Sequence, residues 1–335
     1  MAENKRCEKK EVLWLPERRG FAAEVKSALE RQGFLVKEAG NAVEMLHQLD
    51  QRRSDGRPVS GLITGVDLPD IPGPRMLEVV KSRFPRLPVL LLADAGAPVF
   101  PGDPASRLAD GFFKGTFTGE AVADRLAFLQ GPDPFQAELR PARRSKPPAR
   151  AWGLLRLAEE IDAEGVYRHL LDHPLVTRCE AVQGDYDLAV EMASGVARRL
   201  DQAWNDLRKR PDIGQADLLP VIAPPLDETV QQFLSAFRRR QEEGARHGAR
   251  PRSAVLIREL LLVEIARDRL EAVFPRLACA EGVTSCEAVR GAWQAVVQIQ
   301  APHREEIQRL VGDRIEPIDG VLRLRSLKVV RLIEN

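Results

Sequence analysis

The chain has 335 residues, of which 44% are hydrophobic and 30% are charged, and its formal net charge is +1. This length and composition predict a globular protein of two or three domains, and the near-zero charge excludes an overall basic surface of the kind that binds nucleic acid. No apolar run reaches the length of a membrane span, and no signal sequence follows Met1. Four scattered cysteines form neither a disulfide framework nor a zinc-binding spacing, so we expect a cytoplasmic protein.

Residues 11–130 alternate short apolar segments with amphipathic ones. Strands are predicted at 12–15, 35–36, 61–66, 88–92 and 111–113, and helices at 21–32, 42–52, 74–84 and 119–129. Pro74 suits the first turn of its helix, and Gly33 stops the first one. This alternation predicts an α/β domain with a doubly wound parallel sheet.

Details of this domain resemble the CheY-like receiver domain of response regulators. The segments 68–73 (LPDIPG) and 87–89 (LPV) match the family's turn and fourth strand, and Phe117 with Glu120 resembles the start of its last helix. The resemblance implies a signalling role and a protein partner that docks on this domain.

The phosphoacceptor pocket that the resemblance implies is degenerate. It falls on Glu17, Gly65, Asp67, Ala93 and Lys114, with Gly65 in the place of the phosphoacceptor aspartate and Ala93 in the place of the switch hydroxyl. Phosphoryl transfer needs a nucleophile and a magnesium ion held by carboxylates, so we expect a pseudo-receiver. Asp67 remains open as a displaced acceptor because it points to the same strand face as Gly65.

Two connecting segments follow from composition. Residues 131–150 are rich in proline and arginine and are predicted to form an extended linker. Residues 224–253 are predicted to be a helical connector around a helix at 228–243, which has no partner with which to build a helix-turn-helix. No direct DNA binding is therefore expected, and residues 151–335 should fold without the first 130.

The remaining chain contains an internal duplication. The segment 176–184 (VTRCEAVQG) returns 107 residues later as 283–291 (VTSCEAVRG), and the offset extends upstream without a gap, so that Trp152 aligns with Glu259. We call residues 151–223 copy 1 and residues 254–332 copy 2. Each shows the order β-α-β-β-α-β, which predicts two ferredoxin-like α+β units. Pairing copy 1 with copy 2 would cover their helix-free sheet faces, with homo-oligomerisation as a further way to do so.

Copy 1 resembles the Lrp/AsnC ligand-binding (RAM) domain, more closely than copy 2 does. The residues that carry the resemblance are Pro174, Val176, Gly184, Tyr186 and Asp187. In that family the hairpin lies near an effector pocket between paired domains. The resemblance therefore implies that an amino acid or small metabolite binds at Gly184, Asp185, Tyr186 and Asp187, with a plain β-hairpin turn as the alternative. Copy 2 has Ala292, Trp293 and Gln294 instead and should act as the structural partner that buries its indole.

Metal and catalytic sites are not predicted. His169 and His173 are four residues apart, a zinc-binding spacing, but no third ligand follows, so surface histidines are favoured. Cys179 and Cys286 occupy equivalent positions and are expected in the core.

The sequence predicts a non-enzymatic signalling protein of bacterial type, without a cofactor, in which a pseudo-receiver is joined to two effector-sensing domains and modulates a partner. Two alternatives stay open: an enzyme of the tetrapyrrole-decarboxylase type found among relatives of this family, and an assembly scaffold that binds no ligand.

Overall fold

A computed structural model describes residues 10–16, 22–57, 59–97, 108–131, 135, 148–159, 161–224, 226–246, 256–330 and 332. The chain divides into two compact units. The first comprises residues 1–141 and 226–249, and the second comprises residues 142–225 and 250–335. None of the described helices is long and apolar enough to cross a membrane.

The first unit is a five-stranded parallel sheet with helices between the strands. In chain order its elements are β1 (Lys10–Leu15), α1 (Ala22–Arg31), β2 (Phe34–Glu38), α2 (Ala42–Ser54), β3 (Val59–Gly65), α3 (Gly73–Arg83), β4 (Val89–Ala93), β5 (Gly111–Lys114) and α4 (Gly119–Phe128). The strand order is β2-β1-β3-β4-β5. This is the order of flavodoxin-like doubly wound domains, and the predicted α/β fold class is confirmed.

Local chemistry sets the boundaries of these helices. Gly33, at φ 85°, follows α1 in a conformation that costs other residues free energy. Asn41 caps α2 by accepting a hydrogen bond from the amide of Glu44, and Thr118 caps α4 through the amide of Ala121. These caps explain why the helices begin close to the predicted positions.

The predicted connector is not a free helix. Helix α7 (Glu228–Arg246) belongs to the first unit, where it packs on α2 and α3. Its Phe233 is fully buried, with its ring 5.8 Å from that of Phe84 and 4.6 Å from the guanidinium of Arg83. The expectation that this helix lacks a partner is therefore wrong, because its apolar stripe needed a surface to cover.

A polar network secures the same contact. Arg83 is 2% exposed and lies 2.9 Å from Asp50 of α2, whose carboxylate also accepts a hydrogen bond from Thr229 of α7 at 3.3 Å. Burial alone would raise the pKa of Asp50, but Arg53 and Arg83 outweigh it and lower that pKa below its ordinary value. The charge of Arg83 is thus compensated under the helix that covers it.

The second unit contains both copies. Copy 1 consists of β6 (Ala149–Leu157), α5 (Ala163–Leu171), β7 (Val176–Gln183), β8 (Leu188–Ser194), α6 (Ala197–Leu207) and β9 (Ile213–Pro220). Copy 2 consists of β10 (Ile257–Ile265), α8 (Leu270–Ala278), β11 (Val283–Ala288), β12 (Ala295–Ala301), α9 (Arg304–Leu310), a π-helical turn (Val311–Ile315) and β13 (Val321–Val330). Both have the order and antiparallel pairing expected of ferredoxin-like units.

The linker predicted at 131–150 ends two residues earlier in the structure. Strand β6 begins at Ala149, so the last two residues assigned to the linker are part of the sheet. The side chain of Arg150 binds the carboxylates of Glu191 and Glu287, which compensates its charge at the edge of the core. The earlier part of the linker lies outside the described residues.

The ungapped alignment of the two copies is wrong in the first strand. Trp152 and Leu154 correspond to Leu260 and Leu262, one residue further on, and all four lie in one buried cluster. A one-residue slip moves every side chain of a strand to the other face, so the alignment that matched Trp152 with Glu259 would have placed a carboxylate in an apolar core.

Candidate functional site

The degenerate receiver pocket lies at the carboxyl ends of three adjacent parallel strands. Gly65 ends β3, Ala93 ends β4 and Lys114 ends β5, with Ala93 and Lys114 in register. The amine of Lys114 donates a hydrogen bond to the carbonyl of Ala97 at 2.7 Å. Glu17 lies outside the described residues. The structure therefore brings three of the predicted positions to one edge of the sheet.

Two acidic side chains lie near this edge of the sheet, in different surroundings. Asp67 is exposed beyond the end of β3, and Asp70 accepts hydrogen bonds from the amides of Ala42 and Val43 at 2.9 Å each. Asp70 thus caps the start of α2. The absence of phosphorylation remains a prediction, with Asp67 as the residue to test.

The copy 1 hairpin joins β7 to β8 at the predicted ligand position. Gly184 has φ 155°, and a side chain there would meet Leu327 of copy 2. Asp187 accepts a hydrogen bond from the amide of Leu157 at 2.8 Å and donates its own amide to the carbonyl of Leu155 at 2.9 Å. These bonds fasten the hairpin to β6.

The copy 2 hairpin is fastened in the same way. The side-chain oxygen of Gln294 accepts a hydrogen bond from the backbone amide of Ile265 at 2.9 Å. The backbone amide of Gln294 donates to the carbonyl of Val263, also at 2.9 Å. An uncharged amide therefore does in copy 2 what the Asp187 carboxylate does in copy 1. The position of Asp187 and Gln294 therefore anchors the hairpin in each copy. In copy 1 the bond from Leu157 occupies Oδ2 of Asp187 and leaves Oδ1 for a ligand.

Tyr186 is half-buried and bound to its own copy. Its hydroxyl donates to Asp217 of β9 at 2.7 Å, and the same carboxylate oxygen accepts from Gln215 at 2.8 Å. Burial, together with the hydrogen bond to Asp217, raises the pKa of Tyr186 to about 12. The phenol is therefore neutral and serves as a hydrogen-bond donor. Sequence reasoning missed Asp217, which comes from a different strand.

Asp185 reaches across to the other copy. Its carboxylate lies 3.5 Å from the guanidinium of Arg325 on β13, and both side chains are more than half exposed. In the corresponding contact of the copy 2 hairpin with copy 1, Ala292 takes the place of Asp185 and Asp217 takes the place of Arg325, so no ion pair can form. The ion pair of Asp185 with Arg325 therefore has no equivalent at the corresponding positions of the other hairpin. Arg325 was also missed, since no local signal links it to the hairpin.

The two copies pack against each other through their helix-free faces. Trp152, Leu219, Trp293, Val296 and Leu327 belong to one buried cluster drawn from both copies. Trp293 is 7% exposed, so its indole is buried at the pairing surface as expected. Apolar burial of this kind is the main favourable contribution to such pairing.

Backbone and charge contacts make the pairing nearly symmetric. The strands of both copies form one sheet in the order β11-β12-β10-β13-β7-β8-β6-β9, in which β13 pairs with β7. An antiparallel bridge between Val221, just after β9, and Val289, just after β11, connects the two ends of this order. Arg150 of copy 1 binds Glu287 of copy 2, and the equivalent Arg258 of copy 2 binds Glu180 of copy 1. The same contacts used in both directions are characteristic of a two-fold interface, here within one chain.

The described cysteines behave as structural residues, and the histidines form no metal site. Burial raises the pKa of the Cys179 thiol to about 12, so it stays protonated, and Cys286 is buried as well. Within the described ranges, no group of three His, Cys, Asp or Glu side chains could hold a metal ion, His169 and His173 included.

Comparison with known families gives one match. A sequence model of the Lrp/AsnC ligand binding domain matches residues 260–334, which is copy 2 from its first strand onward. The match falls on the copy whose resemblance we expected to be looser, and it does not extend to copy 1. The chain therefore contains a region similar to this domain. A search of curated proteins found no significant match.

Solved structures resemble both parts of the chain. The receiver domain of a response regulator from Clostridium thermocellum is 18% identical over 36% of this chain and 93% of that one, with a TM-score of 0.31. The chemotaxis response regulator CheY4 of Vibrio cholerae is 19% identical over 36% and 98%, with a TM-score of 0.31. The siroheme decarboxylase NirDL, solved with an iron-uroporphyrin III analogue, is 13% identical over 54% and 71%, with a TM-score of 0.39. Likenesses this distant say nothing of activity.

Proposed function

We propose that this chain is a non-enzymatic regulatory protein whose paired copies bind a zwitterionic effector, an amino acid, at the copy 1 hairpin. The observation that supports this most is the contact of Asp185 with Arg325. A carboxylate and a guanidinium side by side offer partners for the ammonium and the carboxylate of one amino acid.

The weakness of this ion pair favours a ligand. Its N–O distance is 3.5 Å, and its side chains are 58% and 53% exposed. An exposed pair of this kind contributes about 0–1 kcal/mol to stability. A ligand that separates the two groups and binds each of them therefore loses little.

The neighbourhood supplies selectivity. Tyr186 is half-buried against the cluster between the copies and presents aromatic surface beside polar groups, whereas Trp293 is itself buried in that cluster. The guanidinium of Arg323 lies 4.6 Å from the Trp293 ring and 2.9 Å from Glu264, so it is already occupied. Arg325 is the cation that a ligand carboxylate would reach at this hairpin.

The first unit contributes a docking surface in this proposal. Gly65 removes the nucleophile on which phosphorylation depends, so control by phosphoryl transfer is replaced by constitutive binding of a protein partner. The effector then acts on the partner through the second unit, and direct DNA contact has no part in it.

The test is isothermal titration of the full chain with each standard amino acid, after a thermal-shift screen has selected the binders. Asp185→Asn and Arg325→Gln should each weaken binding about ten- to hundredfold, since each removes a charged hydrogen-bond partner. Asp201→Asn, an exposed aspartate on α6, is the matched control and should have no effect.

Two results would contradict the proposal. Unchanged affinity in both hairpin variants would place the effector elsewhere, and a flat screen would favour the scaffold alternative. A saturable shift and sharpening of the Soret band on titration with haem, relative to haem in buffer, would instead favour the tetrapyrrole-related enzyme.

A further inference from the structure

A second polar surface lies on the helical side of copy 1, away from the hairpin residues. An open groove of about 490 Å³ is formed by the end of α5, the turn after it and one face of α6. Its apolar floor is made by Leu175, Ala203 and Leu207, which belong to the core of copy 1. A cavity with an apolar floor and a few polar groups at its rim is the usual form of a small-molecule site.

The rim carries cationic and hydrogen-bonding groups. His169 and His173 come from α5 and the turn after it, and Arg199 and Arg210 from α6 and the turn that follows. Arg210 is held by Asp212 through two hydrogen bonds, of 2.9 and 2.6 Å. Arg199 forms no ion pair within the described part of the chain, so its guanidinium is available.

His173 has a defined orientation. Its Nδ1 accepts a hydrogen bond from the amide of Leu175 at 3.2 Å, so the neutral ring carries its hydrogen on Nε2. Burial, and then the neighbouring His169, lower the pKa of His173. At neutral pH this side chain is thus an uncharged donor.

The polypeptide brings His173 and Arg199 to the same end of the groove. The carbonyl of Leu175 accepts a hydrogen bond from the amide of Ala193 at 2.9 Å, and Ala193 lies just before α6. The acidic residue of the groove, Asp206, comes two helical turns after Arg199, roughly 10 Å along the axis. One end therefore favours an anion, and the apolar floor extends from it.

Copy 2 lacks this arrangement. Arg276, Ala280, Glu306 and Asp313 stand where copy 1 has His169, His173, Arg199 and Asp206. The groove is thus a property of one copy, whereas the pairing contacts are shared by both.

We propose that this groove binds a small organic monoanion, with its carboxylate between Arg199 and His173 and its apolar body on Leu175, Ala203 and Leu207. The site is distinct from the hairpin site and does not depend on it. An arginine and a neutral imidazole N–H are both donors suited to a carboxylate.

The experiment titrates the full chain with benzoate, followed by calorimetry and by the histidine ring signals in NMR spectra. Benzoate should bind and shift the His173 signals, whereas benzamide, which has the same body without the charge, should bind at least about tenfold more weakly. Arg199→Gln should lower benzoate affinity about tenfold or more. The matched control is Arg198→Gln, on the neighbouring residue, which does not line the groove.

Two further variants separate the alternatives. Asp206→Asn should leave benzoate binding equal or stronger, because it removes a negative charge from the groove. A loss of benzoate affinity would show that the carboxylate does not bind at the end away from Asp206 and would overturn the proposal. Asp185→Asn at the hairpin should leave benzoate affinity unchanged, so failure of the hairpin site and failure of the groove are distinguishable. Equal effects of Arg198→Gln and Arg199→Gln, or no benzoate binding, would refute the proposal.

Discussion

Replacing Phe233 by alanine tests whether α7 is part of the first unit. The ring is fully buried and contacts both Phe84 and Arg83 of the α3 region, although residues 142–225 of the second unit separate α7 from the rest of its own unit in sequence. A buried Phe→Ala substitution costs about 3–5 kcal/mol. The substitution also removes the cation–π contact of the ring with the buried guanidinium of Arg83, so less of that buried positive charge is compensated. We therefore expect a loss of about 4 kcal/mol from the first unit.

The assay is urea unfolding of the full chain, followed by fluorescence. Trp14 is in the first unit, and Trp152, Trp204 and Trp293 are in the second, so a Trp14→Phe background identifies which transition belongs to which unit. At a urea slope of about 2 kcal/mol per molar, the midpoint of the first unit should fall by about 2 M. The transition of the second unit should stay in place.

The matched control is Gln232→Ala on the adjacent position of α7. Among the described residues, the side chain of Gln232 bonds only the exposed Glu228 on the same helix, and alanine favours helices, so the effect of Gln232→Ala should stay within about 0.5 kcal/mol. An equally small effect of Phe233→Ala would refute the assignment of α7 to the first unit.

The remaining predictions concern the two candidate sites and acid stability. Acetyl phosphate with Mg²⁺ should leave the mass of the protein unchanged because Gly65 offers no nucleophile, and an 80-dalton adduct that disappears in Asp67→Ala would contradict this. Asp187→Ala and Gln294→Ala should each lower the free energy of unfolding in urea by about 1 kcal/mol, since each removes one hydrogen bond from a strand amide. An unchanged free energy of unfolding in either variant would show that its hairpin needs no anchor. Asp50 has a pKa below its ordinary 3.8, so the stability it contributes is present above that pH and is lost as the pH falls through the lower folded value. Asp50→Asn should therefore flatten the acid dependence of the first unit below about pH 4, and an unchanged pH profile would argue against the Arg83 contact.

Much of the fold followed from the sequence because it rests on local patterns. Apolar segments of period two and amphipathic segments of period 3.6 placed the strands and helices of both units, and caps such as Asn41 and Thr118 agree with them. The repeat of segment 176–184 revealed two similar units. A parallel α/β sheet and two βαββαβ units are nearly the only ways to bury such patterns.

Three features depended on contacts between distant residues and needed the tertiary structure. The amphipathic stripe of α7 predicted that a surface covers it, but not that the surface is α2 and α3 of the first unit. The ion pair of Asp185 with Arg325 joins residues from different copies. The anchor role of Asp187 emerged from a hydrogen bond to Leu157, which no spacing rule connects to it.

The physical reason is that a sequence pattern specifies which face of an element is buried and leaves open what it is buried against. Hydrophobic burial is non-directional and roughly proportional to area, so the apolar face of α7 matches many surfaces equally well. The choice among them is made by shape and by specific polar partners such as Asp50 with Arg83, and these meet only when the whole chain has folded. The sequence therefore determined the elements and their faces, and the tertiary structure decided which faces and charges meet.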